Sequence, residues 1–80
     1  MTFCEKLHAS LFEEYKDVVK YNELAVVAAN KYKPILRDIA KEEWKHSEHI
    51  KKMLDDVGET MTKEELTAHD EAHNSLNGGV

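Results

Sequence analysis

The sequence has little cysteine, proline or glycine for its length. Its 80 residues include one cysteine, one proline and three glycines. Because Cys4 has no second cysteine to pair with, an intrachain disulfide is excluded. The scarcity of proline and glycine leaves long stretches in which nothing interrupts a helix. The composition is therefore typical of a helical protein that is not stabilised by disulfides.

The chain also lacks a surplus of positive charge and a long apolar run. Its formal net charge is -5, with acidic and basic residues interleaved, so there is no cationic surface to attract nucleic acid or an anionic membrane. No apolar run approaches the roughly 20 residues that a membrane span needs, and the N-terminus has no signal-peptide pattern. Neither nucleic acid nor membrane is expected as a partner, and a cytoplasmic location is the expectation.

The small size of the chain limits the core that it can bury. Eighty residues form one domain whose core is marginal without a disulfide, a metal or a partner subunit. The content of 41% hydrophobic residues is nevertheless too high for a disordered chain. Metal binding and oligomerisation are the two sources of stability that remain.

The first helix is predicted over about residues 3–32. Thr2 and Glu5 have the T-x-x-E spacing of a capping box, in which each side chain bonds a free amide of the helix start. No helix breaker follows until Pro34, which is disfavoured inside a helix but favoured in the first turn of the next one.

A second long helix, a short third helix and a tail are predicted after the first helix. Gly58 supplies the left-handed residue that commonly ends a helix, and Thr62 with Glu65 repeats the capping-box spacing. Two long helices joined by a short loop must pack antiparallel. The fold class is therefore all-α, an antiparallel long helical hairpin plus a short third helix. Beyond the first helix, helices are predicted at about 34–57 and 63–76, with a flexible tail at 77–80.

Each long helix carries an apolar stripe at alternating spacings of three and four residues. Glu14 interrupts the first stripe, and Glu43 and His46 interrupt the second. Burying a carboxylate without a partner costs several kcal/mol, so something must compensate these side chains. The stripes are Leu7, Leu11, Glu14, Val18, Tyr21, Ala25, Ala28 and Tyr32 in the first helix, and Leu36, Ile39, Glu43, His46, Ile50, Met53 and Val57 in the second.

The interrupting residues have the spacing of metal ligands. Glu43 and His46 project side by side from one helix, and Glu-x-x-His pairs together with single glutamates hold two metals in four-helix bundles. One hairpin supplies half of that set, so a homodimer or larger even-numbered oligomer is expected to complete it. Carboxylates with imidazole suit iron or manganese better than a structural zinc, although zinc could bind. We expect two iron ions per dimer.

Other residues compete for roles at this site. Tyr21 lies two turns beyond Glu14 and could donate a hydrogen bond to the ligands, although a plain core aromatic fits the same pattern better. Glu23 is the main rival of Glu14, whereas Glu13 and Glu42 fall off the stripes. The predicted metal ligands are therefore Glu14, Glu43 and His46.

Two segments carry a family resemblance. The stretches LFEEYKDVVKYNELAVVA and ILRDIAKEEWKHSEHIKKML resemble two helices of the rubrerythrin branch of the ferritin-like superfamily, over about Leu11 to Leu54. The resemblance puts Glu43 and His46 on its E-x-x-H ligands, and Glu14 on a ligand glutamate followed seven residues later by a tyrosine. It implies a ferritin-like four-helix bundle, a di-iron centre, and peroxide reduction or ferrous iron oxidation.

The chain departs from that family's pattern in two ways. The connection between the helices is shorter than usual, and no second pair of ligand helices follows, so the other half must come from a second subunit. The family's electron-transfer domain needs four cysteines around iron, and this chain has one. An external electron donor is therefore expected if the protein is redox-active.

A hypothesis of another class stays open. The same polar residues could set helix register in a non-catalytic helical dimerisation or adaptor module without metal. Trp44 could then be a subunit contact. His69 and His73 have the i, i+4 spacing of a metal pair, but without a third ligand they are interpreted as part of a solvated face.

Overall fold

The protein folds into three helices, as its computed structural model shows for residues 1–78. They are α1 (Phe3–Val27), α2 (Lys33–Asp56) and α3 (Lys63–Leu76), and residues 1–78 contain no strand. The all-α prediction is confirmed. Residues 79 and 80 of the predicted tail lie outside the described residues.

Two capping boxes start α1 and α3. The Thr2 hydroxyl accepts the Glu5 amide at 3.1 Å, and the Glu5 carboxylate accepts the Thr2 amide at 3.0 Å. Thr62 and Glu65 form the same reciprocal pair at 3.1 and 2.9 Å. Each cap stabilises its helix by about 1 kcal/mol, because it satisfies amides that have no partner within the helix.

The first helix ends at Val27, five residues before the predicted end at 32. Ala28 is extended, with φ -75° and ψ 159°. The Lys33 ammonium donates to the carbonyls of Ala25 and Val26 at 2.7 and 2.8 Å. A lysine from the start of α2 thus satisfies the last carbonyls of α1, an interaction that helix-breaker signals in the sequence do not report.

The second helix ends just before Gly58, which has a positive φ of 78°. The Gly58 amide donates to the Asp55 carbonyl at 3.0 Å, and the Glu59 amide donates to the Leu54 carbonyl at 2.9 Å. This left-handed glycine closes the helix and turns the chain toward α3.

α1 lies at the centre of the structure, with α2 antiparallel to it and α3 packed against its other side. α2 and α3 make few contacts with each other. Residues 1–78 measure 42 × 19 × 18 Å. One core unites the helices; its buried members are Leu7, Leu11, Tyr15, Val18, Ala40, Leu54, Ala68 and Ala72.

The buried faces are rotated relative to the predicted stripes. In α1 the fully buried positions include Tyr15 and Asn22, and in α2 they include Ala40 and Ser47. The small side chains of α2 let the two helices approach closely. The stripe that carries Glu43 therefore forms an edge of the hairpin, beside the contact between α1 and α2.

A polar chain links all three helices. The Arg37 guanidinium donates to the Asn22 side-chain oxygen at 2.9 Å, and the Asn22 amide donates to the Ser75 hydroxyl at 3.0 Å. Ser75 in turn donates to the Ala72 carbonyl at 2.8 Å. Because Asn22 is buried with both ends of its amide satisfied, the chain fixes the register of the helices at little desolvation cost.

In the described part of the chain, no helix is long and apolar enough to cross a membrane.

A histidine clamp joins α1 to the start of α3. His8 Nδ1 donates to the buried Glu65 carboxylate at 2.7 Å, and His8 Nε2 lies 3.4 Å from Glu59. The hydrogen bond to Glu65, with smaller contributions from its charge and from Glu59, raises the pKa of His8 above its usual 6.5. Because Glu65 also caps α3, the clamp holds that helix at its N-terminus.

The clamp predicts a pH-dependent stability. The folded-state pKa of His8 is raised, so protonated His8 stabilises the fold. This stabilisation is complete below the unfolded-state pKa of His8 and is lost as pH rises through its folded-state pKa. His8→Gln should therefore lower the free energy of unfolding by roughly 1 kcal/mol at about pH 5.5 and by less at about pH 9. Denaturant unfolding at the two pH values measures this difference. His49→Gln, at an exposed position, is the control, and an equal loss at both pH values contradicts the prediction.

Candidate metal centre

The structure brings Glu14, Glu43 and His46 together at the edge of the groove between α1 and α2. Glu14 comes from α1, and Glu43 and His46 lie one helical turn apart on α2. One potential ligand atom from each side chain lies within 4.8 Å of the other two. The three predicted ligands thus converge, although Glu14 lies on a different helix from Glu43 and His46 and about six turns of helix and a loop separate Glu14 from Glu43 along the chain.

The three side chains differ in exposure. Those of Glu14 and Glu43 are 21% and 20% exposed, whereas that of His46 is 58% exposed. His46 Nδ1 lies 3.7 Å from a Glu14 oxygen and 3.9 Å from a Glu43 oxygen. These distances exceed a hydrogen bond, so the carboxylates form the floor of the site and the imidazole stands at its rim without fixing either of them.

One oxygen of this group has no partner. Glu14 Oε2 is buried without a hydrogen-bond partner among the described residues. Leaving a buried carboxylate oxygen unsatisfied costs more than an average hydrogen bond contributes. A divalent cation between Glu14, Glu43 and His46 would satisfy that oxygen and offset both negative charges. Carboxylate oxygens together with an imidazole nitrogen therefore fit iron or a chemically similar metal such as manganese.

The environment of Glu14 disfavours its charged form. Burial, together with the adjacent carboxylate of Glu43 and the charge of Asp17, raises the pKa of Glu14 from 4.5 to about 7. A carboxyl that is half protonated near neutrality gives up its proton to a metal ion at small cost. The same repulsion that destabilises the metal-free site thus favours cation binding.

Tyr21 lies on the same edge of α1 as Glu14 but does not bond the group. Its ring is partly buried against the core, and the Lys20 ammonium lies 5.3 Å from its centroid. Among residues 1–78, no hydrogen bond joins the Tyr21 hydroxyl to the three acidic and imidazole side chains. Its role at the site stays a prediction.

The rival carboxylates lie elsewhere. Glu13 and Glu42 are exposed neighbours of the group, as their positions off the stripes predict. Glu23 is also exposed and lines a groove on the opposite flank of α1. Among the described residues, only Glu14 of the α1 glutamates belongs to the converging group.

The sequence patterns did not predict the packing of two aromatic residues that lie next to the group. Tyr15 is fully buried, and its ring centroid lies 5.8 Å from that of Trp44. Trp44 also packs on α3 within the chain, and the subunit contact suggested by the sequence stays a prediction. The run Leu11, Tyr15, Val18 at spacings of four and three was the available signal for the buried tyrosine.

The fold and the site together define a class of protein. Two carboxylates and one imidazole on neighbouring antiparallel helices are half of the ligand set with which helical bundles bind two metals. The family model for rubrerythrin matches residues 5–76, and the chain belongs to the rubrerythrin family. The resemblance stated from the sequence is thereby confirmed. No curated protein and no solved structure matches the chain significantly.

The raised pKa of Glu14 predicts how its removal affects the metal-free protein. Because the folded-state value of about 7 exceeds the usual 4.5, the carboxyl costs stability increasingly as pH rises from about 4.5 to about 7. Glu14→Gln keeps the shape and removes this cost. The metal-free variant should therefore melt at a higher temperature than the wild type at about pH 8, with little difference at about pH 4.

Thermal unfolding after chelation measures this effect. Glu13→Gln removes a charge from the adjacent exposed position and should leave the melting temperature nearly unchanged. A Glu14→Gln variant that melts below the wild type at the higher pH contradicts a repulsive carboxylate pair.

Proposed function

We propose that the protein is a di-iron carboxylate protein whose site is completed at a homodimer interface, and that it reduces peroxide or oxidises ferrous iron. The observation that carries the proposal is the convergence of Glu14, Glu43 and His46, with one buried carboxylate oxygen left unsatisfied. Membership of the rubrerythrin family supports iron, which proteins of this family typically bind.

The composition of the group supports a second copy of the chain as the partner. A two-metal bundle site uses four carboxylates and two imidazoles. The described residues of one chain supply two carboxylates and one imidazole to this group. A two-fold axis beside the hairpin doubles them. It also places the exposed rim of the site, where His46 stands, against another subunit.

Apolar side chains flank the group on the same edge and support the same partner. On α2, Ile35, Met53 and Val57 lie toward the His46 side of the helix and are 57%, 42% and 51% exposed. On α1, Phe3 lies three helical turns before Glu14 and is 61% exposed. Exposed apolar residues beside an incomplete ligand set are what a subunit interface requires.

Each ligand side chain has a distinct task in this proposal. Glu43 would be a ligand shared by the two metals, Glu14 would be a terminal or shared ligand, and His46 would supply the imidazole ligand of each metal. The Glu14 carboxyl, for which the pKa is raised to about 7, would give up its proton when a metal binds. Two ferrous ions held by these residues would supply the two electrons that, together with two protons, reduce hydrogen peroxide to two water molecules, or would themselves be the substrate that is oxidised.

The chain lacks an electron-transfer centre of its own within the residues described. Cys4 is the single cysteine of the sequence, so a four-cysteine iron site cannot form in one chain. In a peroxide-reducing cycle the electrons would come from a donor outside these 80 residues. In a ferrous-oxidising role, the iron itself supplies them.

The metal content of the purified protein tests the centre. Protein loaded anaerobically with ferrous iron should hold about two iron ions per dimer, and Glu43→Gln combined with His46→Ala should reduce this to background. Elemental analysis on peaks separated by size measures both metal and subunit number. Glu42→Gln, at the exposed neighbouring position, is the matched control and should bind iron as the wild type does.

The same experiment separates the proposal from the adaptor hypothesis. A dimer that binds no iron and is unaffected by the double substitution supports the adaptor module. A monomer that holds no iron rejects the shared centre.

The reaction is tested by mixing the ferrous-loaded protein with hydrogen peroxide or with oxygen. The iron-loaded wild type should be oxidised at least tenfold faster than free ferrous iron in the same buffer, since positioned ligands stabilise the ferric product. Stopped-flow absorbance measures the rate. A faster reaction with hydrogen peroxide indicates peroxide reduction, and a faster reaction with oxygen indicates ferrous oxidation by oxygen. Wild-type rates equal to those of the Glu43→Gln/His46→Ala variant contradict the proposed activity.

A further inference from the structure

Two histidines form a separate cluster on α3. His69 and His73 are four residues apart in Lys63–Leu76, so they lie one turn apart on the same face of the helix. Their imidazole rings are nearly parallel, at 7°, and the ring centroids are 6.3 Å apart. Two imidazoles at this spacing can share one metal ion after a small rotation of their side chains.

A carboxylate holds the first histidine in the orientation of a metal ligand. His69 Nδ1 lies 3.0 Å from a side-chain oxygen of Asp70 and donates to it. This hydrogen bond selects the tautomer in which Nε2 carries the free lone pair. Histidines that bind metals commonly donate their other ring nitrogen to a carboxylate in this way.

The aromatic residues beneath the pair restrict its movement. The His69 ring lies edge-on to Tyr15 at 5.4 Å and packs on Trp44 at 5.3 Å, and the His73 ring is 5.9 Å from Trp44. The His69 side chain is still 34% exposed, and His73 is exposed. The rings are thus partly ordered before a metal arrives, while an ion in solution can reach them.

The cluster is distinct from the group of carboxylates. Trp44 turns toward α3, whereas Glu43 and His46 lie along the uncovered edge of α2. Consecutive residues of a helix point about 100° apart, which separates the two faces. A metal at the histidine pair therefore needs no residue of the proposed di-iron centre.

We propose that His69 and His73 form a second metal site, which binds one divalent transition ion of the kind that prefers imidazole, Cu²⁺ or Zn²⁺. Water completes the coordination shell. Imidazole nitrogen favours these ions over Mg²⁺ and Ca²⁺, and copper binds most tightly among the divalent ions of the first transition row. The Asp70 contact and the packing on Trp44 distinguish this pair from two histidines on a solvated face.

Trp44 provides the measurement, because it is the only tryptophan of the sequence and both rings pack on it. Cu²⁺ bound at the pair should quench its fluorescence. The titration is done on the wild type and on Glu43→Gln/His46→Ala, in which the first site is disabled. Quenching should saturate at about one Cu²⁺ per chain in the double variant, be competed by Zn²⁺ and be absent with Mg²⁺.

Substitution of the histidines decides the outcome. His73→Ala in the same background should weaken the Cu²⁺ affinity at least tenfold, and its exposed position makes a loss of folding unexpected, which circular dichroism checks. His49→Ala removes another exposed histidine and should leave the titration unchanged. Unaltered quenching in the His73→Ala variant, or no saturable quenching in the double variant, overturns the proposal.

Discussion

The constraint on which the site depends is a pair of carboxylates held side by side in a groove with too few partners. Glu14 and Glu43 are each about four-fifths buried, and one oxygen of Glu14 has no hydrogen-bond partner. In water this pair would separate, but α1 and α2 hold its members together. Burial and the neighbouring Glu43 raise the pKa of Glu14 to about 7, which favours its protonated form in the metal-free protein. A cation relieves the same repulsion without the proton.

The arrangement of the helices leaves that groove available on one side. α3 packs along the other flank of α1, where its position is fixed by the capping box, by the His8 clamp on Glu65 and by the link from Asn22 to Ser75. α2 packs mainly on α1 and makes fewer contacts with α3, among them those of Trp44 with His69 and His73. The hairpin therefore has one flank covered by α3 and one flank open, and the open flank carries Glu14, Glu43 and His46 together with exposed apolar residues.

On each long helix, one residue faces the open flank and the next residue faces the flank covered by α3. Glu14 precedes the buried Tyr15, and Glu43 precedes Trp44, so each acidic side chain is followed by an aromatic one about 100° around the helix. The carboxylates meet on the open edge, while the aromatic rings meet beneath α3 and contact His69. A short chain can in this way present two carboxylates with one imidazole on one face and two imidazoles on another.

The sequence by itself determined the local features. Capping boxes, the glycine that ends α2 and the spacing of Glu43 and His46 depend on residues that are close in the chain. The continuous stripe of α1 and the spacing to Tyr21 favoured Glu14 over Glu23. The tertiary structure decided what depends on distant residues. The Lys33 ammonium of α2 donates to the last carbonyls of α1, and no local pattern in the sequence connects these groups. The buried faces are rotated from the predicted stripes because packing between helices, rather than periodicity within one helix, selects the residues that meet.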